Sequence, residues 1–492
     1  MVYRGASDVF AKAAMFIVTV VAARQMTRED FGYFALATTL GWIGLVAADF
    51  GIQVHLARSV AQQPTQSAQL LRRWLPVRLS FGVVSLAASL VLLVAFGVSV
   101  RARLALSLFS FAYAATGLSE YLYYYFRGLG RSDLESTLTL VQRGGMCVCA
   151  VAVLWWRPTL TPLALAMVVP AVVTVAVAAR IATGLATSPA ATASPAATAS
   201  TMAPASPTAM AAVTALASAA PPSPLEGLAK EGARARRKSR PQTDDRGTST
   251  ADFVETVVAE RRNANLTTGV MRELMTNVAP IGIGILLSAL YFRIDVFLLQ
   301  RWSGTNSVAL YNAVFRVVEA LRLVPAAALA VALPAMCRAS TLRPMFRVAT
   351  PLTGAAVGGA CVLWLTAPWL VPALYGTSFA SAVQPFRILV VAVPLMTLNY
   401  ALTSQLIGWH GHRAYAVICA GALAFNVWLN AWLIPVSGIN GAAWATMWTE
   451  VLLTIGCGVA LSRIEPVAIV PSSTQPDVPS LDTRMMPTRA RA

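Results

Sequence analysis

Apolar stretches long enough to cross a lipid bilayer follow one another along almost the whole chain of 492 residues. A helix needs roughly 20 mostly apolar residues to span a hydrocarbon core of about 30 Å. Twelve stretches meet this requirement, at 6–24, 31–57, 77–100, 104–126, 134–156, 160–183, 274–300, 306–336, 347–372, 382–407, 414–434 and 441–462. The pattern predicts an all-α integral membrane protein with 12 transmembrane helices.

A long polar and low-complexity segment separates the first six stretches from the last six. We expect an N-terminal six-helix lobe at 1–183, a disordered cytoplasmic linker at 184–262, a C-terminal six-helix lobe at 263–465 and a disordered cytoplasmic tail at 466–492. The linker is rich first in Ala, Thr, Ser and Pro and then in basic residues, and neither composition buries enough apolar surface to fold.

The second spans of the two lobes are alike. One runs from Tyr33 to Arg58 and the other from Tyr311 to Arg338, and both enter on a tyrosine and leave on an arginine. Because each lobe has six spans, both lobes begin on the same side of the membrane. This arrangement predicts parallel repeats related by an axis along the membrane normal.

Charge is scarce but unevenly placed. Hydrophobic residues make up 57% of the chain and charged residues 12%, about half the share in soluble proteins. The net charge of +17 could indicate nucleic-acid binding, but most lysines and arginines fall on the side that the termini and the linker share. The other side has six: Arg24, Arg28, Arg101, Arg103, Arg157 and Arg301. Basic loops mark the cytoplasmic face, so we expect two cytoplasmic termini, attraction to anionic lipids and no nucleic-acid partner.

The first span does not have the features of a cleavable signal. Asp8 and Lys12 lie inside it, and it continues to full length, so we expect it to be retained. The six cysteines lie within or at the ends of apolar spans, without the spacing of a disulfide framework or a zinc site. The sequence also lacks a GxxxxGK[ST] phosphate loop. We therefore expect no cofactor, no metal and no ATP site.

Several stretches carry a family resemblance. They are "AARQMTREDFGYFALATTLGWIGLVAADFGIQVHLAR" (22–58), "YYYFRGLGRSDLESTLTLVQR" (123–143), the region 293–336, "LYGTSFASAVQPFRIL" (374–389) and "FNVWLNAWLIPVSGINGAAWATMWTE" (425–450). The chain resembles the oligosaccharide flippases, the Wzx-like polysaccharide-transporter branch of the multidrug/oligosaccharidyl-lipid/polysaccharide exporter superfamily. The resemblance covers every span, and the long linker departs from it.

The resemblance implies two six-helix lobes in a V around a central cavity. Such a protein would move a polyprenyl-diphosphate-linked oligosaccharide from the cytoplasmic to the periplasmic leaflet of a bacterial inner membrane by alternating access. It would not be an enzyme, and it would serve surface-polysaccharide biosynthesis. Its partners would be the lipid-linked oligosaccharide, membrane lipids and the polysaccharide polymerase machinery.

Charged residues inside the spans are the candidate site. A charge at the bilayer centre costs on the order of 2.5–3.5 kcal/mol, so each needs a partner or a wet cavity. The densest group is Arg316, Glu319 and Arg322, spaced by three and therefore on one helix face. The other members of the predicted diphosphate site are Arg293, Asp295, Lys12 and Asp8.

Two interpretations of these residues remain open. Arginines offer always-charged, forked donors that suit phosphate oxygens, which favours a diphosphate site for Arg316 and Arg322, where two cations face one carboxylate. Asp8 with Lys12, and Arg293 with Asp295, could instead be neutralised pairs that hold helices together. Glu120 and Glu450 have no partner nearby in the sequence, and with Asp49 they are candidates for proton or sodium coupling.

Three alternatives accompany the flippase hypothesis. A drug/cation antiporter of the same superfamily would have a site dominated by acids and aromatic rings. A lipid II flippase typically has two further spans, which do not follow span 12. A polytopic glycosyltransferase or polymerase usually carries a large charged outer loop, whereas the longest outer loop here, at 367–382, has no charge.

Overall fold

The computed structural model describes residues 2–187 and 269–464, apart from Gly97 and His410. The predicted tail and almost all of the predicted linker lie outside the described residues. The last helix of the first lobe continues to Thr187, four residues past its predicted end. Within these ranges the regular secondary structure is helical throughout.

The described N-terminal half has seven α-helices: α1 (Val2–Gln25), α2 (Arg28–Asp49), α3 (Ile52–Gln62), α4 (Ser67–Ala95), α5 (Val100–Gly128), α6 (Ser132–Trp156) and α7 (Leu160–Thr187). The described C-terminal half contains a π-helical turn (Leu274–Val278) followed by α8 (Ala279–Trp302), α9 (Gly304–Leu321), α10 (Leu323–Arg338), α11 (Arg343–Tyr375), α12 (Val383–Gly408) and α13 (His412–Arg463). Short 3₁₀ helices directly precede α4 (Pro64–Gln66) and α12 (Thr377–Ala382).

Eight helices of the described residues are long and apolar enough to cross a membrane: Arg28–Asp49, Pro64–Ala95, Ser132–Trp156, Leu160–Leu185, Gly282–Trp302, Arg343–Tyr375, Thr377–Gly408 and His412–Arg463. Helices α1 and α5 carry charged residues along their length, and α9 and α10 are shorter. Large apolar side chains such as Val83, Val84 and Val91 are exposed on α4. The chain is therefore a multi-pass integral membrane protein, with lipid as the solvent of these faces.

Two predicted spans are broken in the structure. The second (31–57) divides into α2 and α3, because Phe50 and Gly51 adopt left-handed backbone conformations, with φ of 42° and 82°. The eighth (306–336) divides into α9 and α10 at Arg322, whose ψ is −11°. Pro325 explains this second break, since it has no N–H to donate to the carbonyl of Leu321. Both halves thus have a broken second span.

The predicted spans 11 and 12 form one helical stretch, α13, interrupted at Gly438 with φ 53° and ψ −129°. Asn426 donates to Thr449 Oγ1 at 3.0 Å across this interruption. A straight helix would separate residues 23 positions apart by about 35 Å. The chain therefore folds back on itself at Gly438.

Three buried apolar clusters show how the halves meet. We call the side where α1 joins α2 the far end, and the side where α7 ends and α8 begins the linker end. The first cluster, which includes Phe34, Phe109, Tyr311 and Phe386, contains residues of both halves and lies toward the far end. At the linker end the second cluster belongs mainly to the N-terminal half and the third to the C-terminal half. The two halves therefore share one apolar core toward the far end and have largely separate apolar cores toward the linker end.

Direct contacts close the far end. Arg24 donates through Nε to the carbonyl of Leu374 at 2.7 Å, at the C-terminal end of α11. Arg28 donates to the carbonyl of Ser378 in the following turn. A Cβ on Gly32 of α2 would lie 2.2 Å from the carbonyl oxygen of Thr305 in α9. Only glycine allows this approach of the two halves.

The segment before α8 docks on the N-terminal half at the linker end. Glu273 accepts from Arg73 at 2.7 Å and pairs with His55 Nε2 at 2.8 Å. The hydrogen bond from His55, together with the charges of His55 and Arg73, lowers the pKa of Glu273 below its usual value. Leu274 and Val278 join the apolar cluster of the N-terminal half. The π-helical turn therefore lies where the chain passes from one half to the other, and π-helical turns are frequent at functional sites.

Candidate functional site

A cavity of about 630 Å³ lies between the two halves. Helices α1, α2, α3, α5 and α6 line it from the N-terminal half, and α8, α9, α10 and α12 from the C-terminal half. Its charged lining residues are Asp8, Lys12, Asp49, Glu120, Arg127, Glu135, Arg143, Arg316, Glu319 and Arg322. The volume falls within the range of about 300–1,000 Å³ that is usual for small-molecule sites.

An ion-pair network occupies the C-terminal side of the cavity. Arg316 donates to Glu319 at 2.9 Å, as expected for residues three apart on one helix. Arg293, only 3% exposed, approaches the same carboxylate from α8 and donates to Asn312 at 3.1 Å. Two arginines therefore share one carboxylate, which leaves a net positive charge at this wall.

Arg316 also reaches the other half of the molecule. Its Nη2 donates to Thr38 Oγ1 on α2 at 3.1 Å, while its Nε is buried without a hydrogen-bond partner. A buried donor without a partner costs about 1–3 kcal/mol. One N–H group of this cavity-lining arginine therefore has no acceptor among the described residues.

Arg322 stands where α9 gives way to α10. The sequence predicted that it would face Glu319, but among the described ion pairs Glu319 takes Arg293 and Arg316. The Arg322 guanidinium instead lies 4.1 Å from the centre of the Phe292 ring. Stacked on a ring, Arg322 keeps its donors for other partners.

Asp295 is not the partner of Arg293 that its position in the sequence suggested. Residues two apart on a helix do not face each other. The Asp295 carboxylate accepts hydrogen bonds from the Tyr311 hydroxyl and from the Val296 amide, the latter at 2.9 Å. Neither Arg293 nor Asp295 lines the cavity, so Arg293 supports the cationic wall from behind.

Helix α1 contributes Lys12 and Asp8, one turn apart, to the lining of the same cavity. We call Lys12, Arg316 and Arg322 the cationic wall. These three side chains come from α1, from α9 and from the junction between α9 and α10.

Helices α5 and α6 form the opposite wall. Glu120, for which the sequence offered no partner, pairs with Arg143 at 3.4 Å. Arg127 pairs with Glu135, with one hydrogen bond at 3.1 Å, and its guanidinium lies 4.0 Å from the centre of the Tyr124 ring. Each of these carboxylates has an arginine partner, so the charge here is balanced.

Asp49 and Gln53 line the cavity at the break between α2 and α3. The Asp49 carboxylate accepts a hydrogen bond from the backbone N–H of Gln53 at 3.1 Å and so caps the start of α3. Gln53 is only 4% exposed, and its side-chain nitrogen is buried without a hydrogen-bond partner.

Glu450 lies in a smaller cavity of about 80 Å³, lined mainly by the C-terminal half, that Arg322 also lines. Asn399 donates to the Glu450 carboxylate at 2.8 Å, and Thr454 donates to the carbonyl oxygen of the Asn399 amide at 2.8 Å. Glu450 is thus part of a buried polar network. In the described part of the chain, no group of three or more His, Cys, Asp and Glu side chains is arranged to hold a metal.

Sequence reasoning missed several lining residues. Arg127, Glu135 and Arg143 appeared to belong to the cytoplasmic side, and Tyr124 and Gln53 carried no signal. The ion pairs Arg127–Glu135 and Glu120–Arg143 join different helices, 8 and 23 positions apart, so no helical spacing identifies them. The presence of aromatic and charged residues together in "YYYFRG" was the one available sign.

Comparison with known protein families shows which family the chain belongs to. The family model described as "Polysaccharide biosynthesis protein" matches residues 2–212 and 252–340. The chain belongs to this family of Wzx-like flippases. Its family and its fold are those of transporters and flippases, not of enzymes. No curated protein matches the chain.

Solved structures share the fold at low sequence identity. A multidrug resistance MATE family transporter of the MOP superfamily, in an inward-facing conformation, superposes with a TM-score of 0.63 at 12% identity, over 92% of this chain and 94% of that one. The lipid II flippase MurJ in an inward closed conformation superposes with a TM-score of 0.58 at 9% identity, over 94% of this chain and 88% of that one. An outward-facing MATE family transporter gives 0.54 at 13% identity, over 94% of each chain.

Proposed function

We propose that the protein is a flippase that moves a polyprenyl-diphosphate-linked oligosaccharide from the cytoplasmic to the periplasmic leaflet of a bacterial inner membrane, for surface-polysaccharide biosynthesis. The observation that carries this proposal is the cationic wall. Arg293 and Arg316 together outweigh the charge of Glu319, and Arg322 and Lys12 add two cations, of which Asp8 offsets one. A diphosphate, with about two negative charges, complements such a wall.

The proposed movement is alternating access between two six-helix lobes, at 1–183 and 263–465, with 12 crossings in all. The shared apolar cluster at the far end and the separate clusters at the linker end support an inward-facing state. The higher TM-score with an inward-facing relative than with an outward-facing one agrees with this. The contacts of Arg24, Arg28 and Gly32 would break when the cavity opens to the far end.

We further propose that the linker end is cytoplasmic, with both termini and the linker on that side. The support is the distribution of lysine and arginine over the loops. Substituted-cysteine labelling tests this orientation: a cysteine at Thr377 should react with an impermeant reagent added outside the cell, and one at Thr65 should not.

Loss of the gene tests the function in the cell. We expect the deletion strain to lose surface polysaccharide and to accumulate its lipid-linked precursor, and we expect the wild-type gene but not Arg316→Ala to restore the polymer. Normal surface polysaccharide in the deletion strain would contradict the proposal. Interaction with the polymerase machinery is expected on the far side and could be detected by cross-linking in the same strain.

A drug/cation antiporter is the second candidate. The carboxylates that line the cavity, Asp8, Asp49, Glu120 and Glu135, favour it, since a cationic drug would seek them. Glu120 and Glu135 already have arginine partners, which weakens this alternative. Increased sensitivity of the deletion strain to cationic drugs, with intact surface polysaccharide, would favour the antiporter.

A further inference from the structure

The cavity has two chemically different sides. One is the cationic wall. The other, which we call the polar wall, consists of Gln53, Glu120, Tyr124, Arg127, Glu135 and Arg143, and all of them line the same cavity. Because one continuous cavity connects the two walls, a single bound molecule can contact both.

We propose that the polar wall is a subsite for an uncharged sugar, the one attached directly to the diphosphate. The inference rests on the proposed function and adds to it the class of sugar. A sugar ring presents hydroxyl groups that both donate and accept hydrogen bonds, and apolar C–H faces. The polar wall offers guanidinium and amide donors, carboxylate acceptors and an aromatic ring.

Charge balance distinguishes this subsite from the diphosphate site. Arg143 pairs with Glu120, and Arg127 pairs with Glu135, so the polar wall has no surplus of cations to hold a phosphate. An acidic sugar such as a uronic acid would find no spare cation here to neutralise its carboxylate, so burying that charge would cost free energy. A neutral sugar meets no such cost and can bond to both members of each pair.

Gln53 supplies an observation that itself points to a ligand. Gln53 lines the cavity, and its side-chain nitrogen is buried without a hydrogen-bond partner in the described residues. Buried polar groups in folded proteins are normally hydrogen-bonded. A sugar hydroxyl would provide the missing acceptor.

Tyr124 supplies the apolar contact. Arg127 lies over the ring at 4.0 Å, and the ion pair with Glu135 fixes that guanidinium in turn. The ring is therefore held in place before a ligand arrives, which reduces the entropy cost of binding.

Calorimetry on the purified full chain in detergent tests the subsite with three soluble ligands. They are a short-chain prenyl diphosphate, the same compound with a neutral hexose on the diphosphate, and the same compound with a hexuronic acid. We expect the hexose to improve the affinity by about tenfold over the bare diphosphate, the scale of one or two hydrogen bonds. The hexuronic acid should bring less than a twofold gain.

Gln53→Leu should reduce the gain from the hexose to about twofold and leave the affinity for the bare diphosphate unchanged. Gln53→Met, which keeps the length of the side chain but removes the amide without adding a charge, gives a second measurement with the same expected result if the leucine variant folds poorly. Gln62→Leu, at the exposed end of the same helix, is the matched control and should change neither affinity.

The outcomes separate the two proposals. Arg316→Ala should weaken all three ligands and leave the ratio between hexose and bare diphosphate intact. Equal wild-type affinities for the bare and the hexose-linked diphosphate would overturn the subsite and leave the flippase proposal standing. A gain from the hexuronic acid equal to that from the hexose would overturn the claim that the subsite takes an uncharged sugar. Absence of any diphosphate binding would overturn both.

Discussion

Arg316 donates a hydrogen bond to Thr38 Oγ1 at 3.1 Å, and this contact connects the cavity to the junction between the two halves. Arg316 belongs to α9 of the C-terminal half, and Thr38 to α2 of the N-terminal half. A ligand that recruits this guanidinium would compete with Thr38 for its N–H groups. In the proposed mechanism, substrate binding and the packing of the two halves would therefore share one side chain.

Replacement of Arg316 should separate binding from folding. Arg316→Ala should lower the affinity for a prenyl diphosphate by at least tenfold, because a charge-assisted bond is lost and Glu319 keeps only one arginine. Arg316→Lys should recover part of the loss, since lysine lacks the planar fork. Titration calorimetry measures both.

Arg387→Ala is the matched control for Arg316→Ala. Arg387 also lies in an apolar helix, but it stacks on Trp364 at 4.4 Å and donates to that residue's carbonyl, away from the cavity. Arg387→Ala should therefore leave the affinity for a prenyl diphosphate unchanged. Equal losses from both replacements would mean that general destabilisation, and not the site, accounts for the effect.

Gly32→Ala should destabilise the observed conformation. The added Cβ would meet the backbone oxygen of Thr305 at 2.2 Å, and backbone cannot move aside as a flexible side chain does. Overpacking of this kind typically costs about 1–3 kcal/mol. A lowered midpoint in thermal unfolding measures the effect. Gly354→Ala, at an open helical position of α11, should be neutral or slightly stabilising, and a comparable loss there would refute the explanation.

The arginines at the far end should control outward opening. Arg24 and Arg28 donate to the carbonyls of Leu374 and Ser378 across the two halves. Replacing both with alanine should shift the population toward an outward-open form by about tenfold, the scale of a charged hydrogen bond.

Spin labels at Thr27 and Thr377, on opposite sides of this contact, can detect that opening as a longer distance in pulsed electron resonance. Arg157→Ala removes an exposed far-end arginine that stacks on Trp156 of its own half and serves as the control. An unchanged distance distribution in the double variant would show that the apolar cluster alone keeps the far end closed.

Docking of the segment before α8 should depend on pH through Glu273. His55 and Arg73 lower the pKa of Glu273, so the carboxylate binds them more tightly than the carboxylic acid does. The stabilisation is present above the ordinary glutamate pKa of about 4.3 and is lost as the pH falls through the lowered value. Amide exchange at 270–278 should therefore accelerate in acid, beyond the intrinsic change with pH.

Glu273→Gln should give that faster exchange already at neutral pH. Glu29→Gln, an exposed acidic residue in the first turn of α2, should leave the segment protected. Protection that is identical in wild type and Glu273→Gln at every pH would show that Leu274 and Val278 dock the segment without the ion pairs.

The sequence carried local information well and long-range information poorly. The pairing of Arg316 with Glu319 follows from helical spacing, and Pro325 and Gly51 signal the two broken spans in retrospect. The second arginine on Glu319 comes from a different helix, 26 positions away, and no periodic pattern could reveal it. Glu120 and Arg143 were separated in the same way. The fold was therefore more accessible from sequence than the site.

The energy source is the remaining part of the mechanism. A diphosphate diester carries about two negative charges, each worth about 2.3 kcal/mol per 100 mV. An interior at about −100 mV would favour outward movement by about 4–5 kcal/mol, or roughly a thousandfold at equilibrium. Membrane voltage alone would then suffice, and the carboxylates Asp49, Glu120 and Glu450 would not be required for coupling.

The most direct measurement is the movement of a fluorescent polyprenyl-diphosphate oligosaccharide across vesicles that contain the purified protein and a potassium-diffusion potential, without a proton or sodium gradient. The account predicts voltage-dependent movement by the wild type and by Glu120→Gln and Glu450→Gln, and none by the double variant Arg316→Ala/Arg322→Ala. Movement that persists in the double variant, or that ignores voltage and follows a pH or sodium gradient, would contradict it.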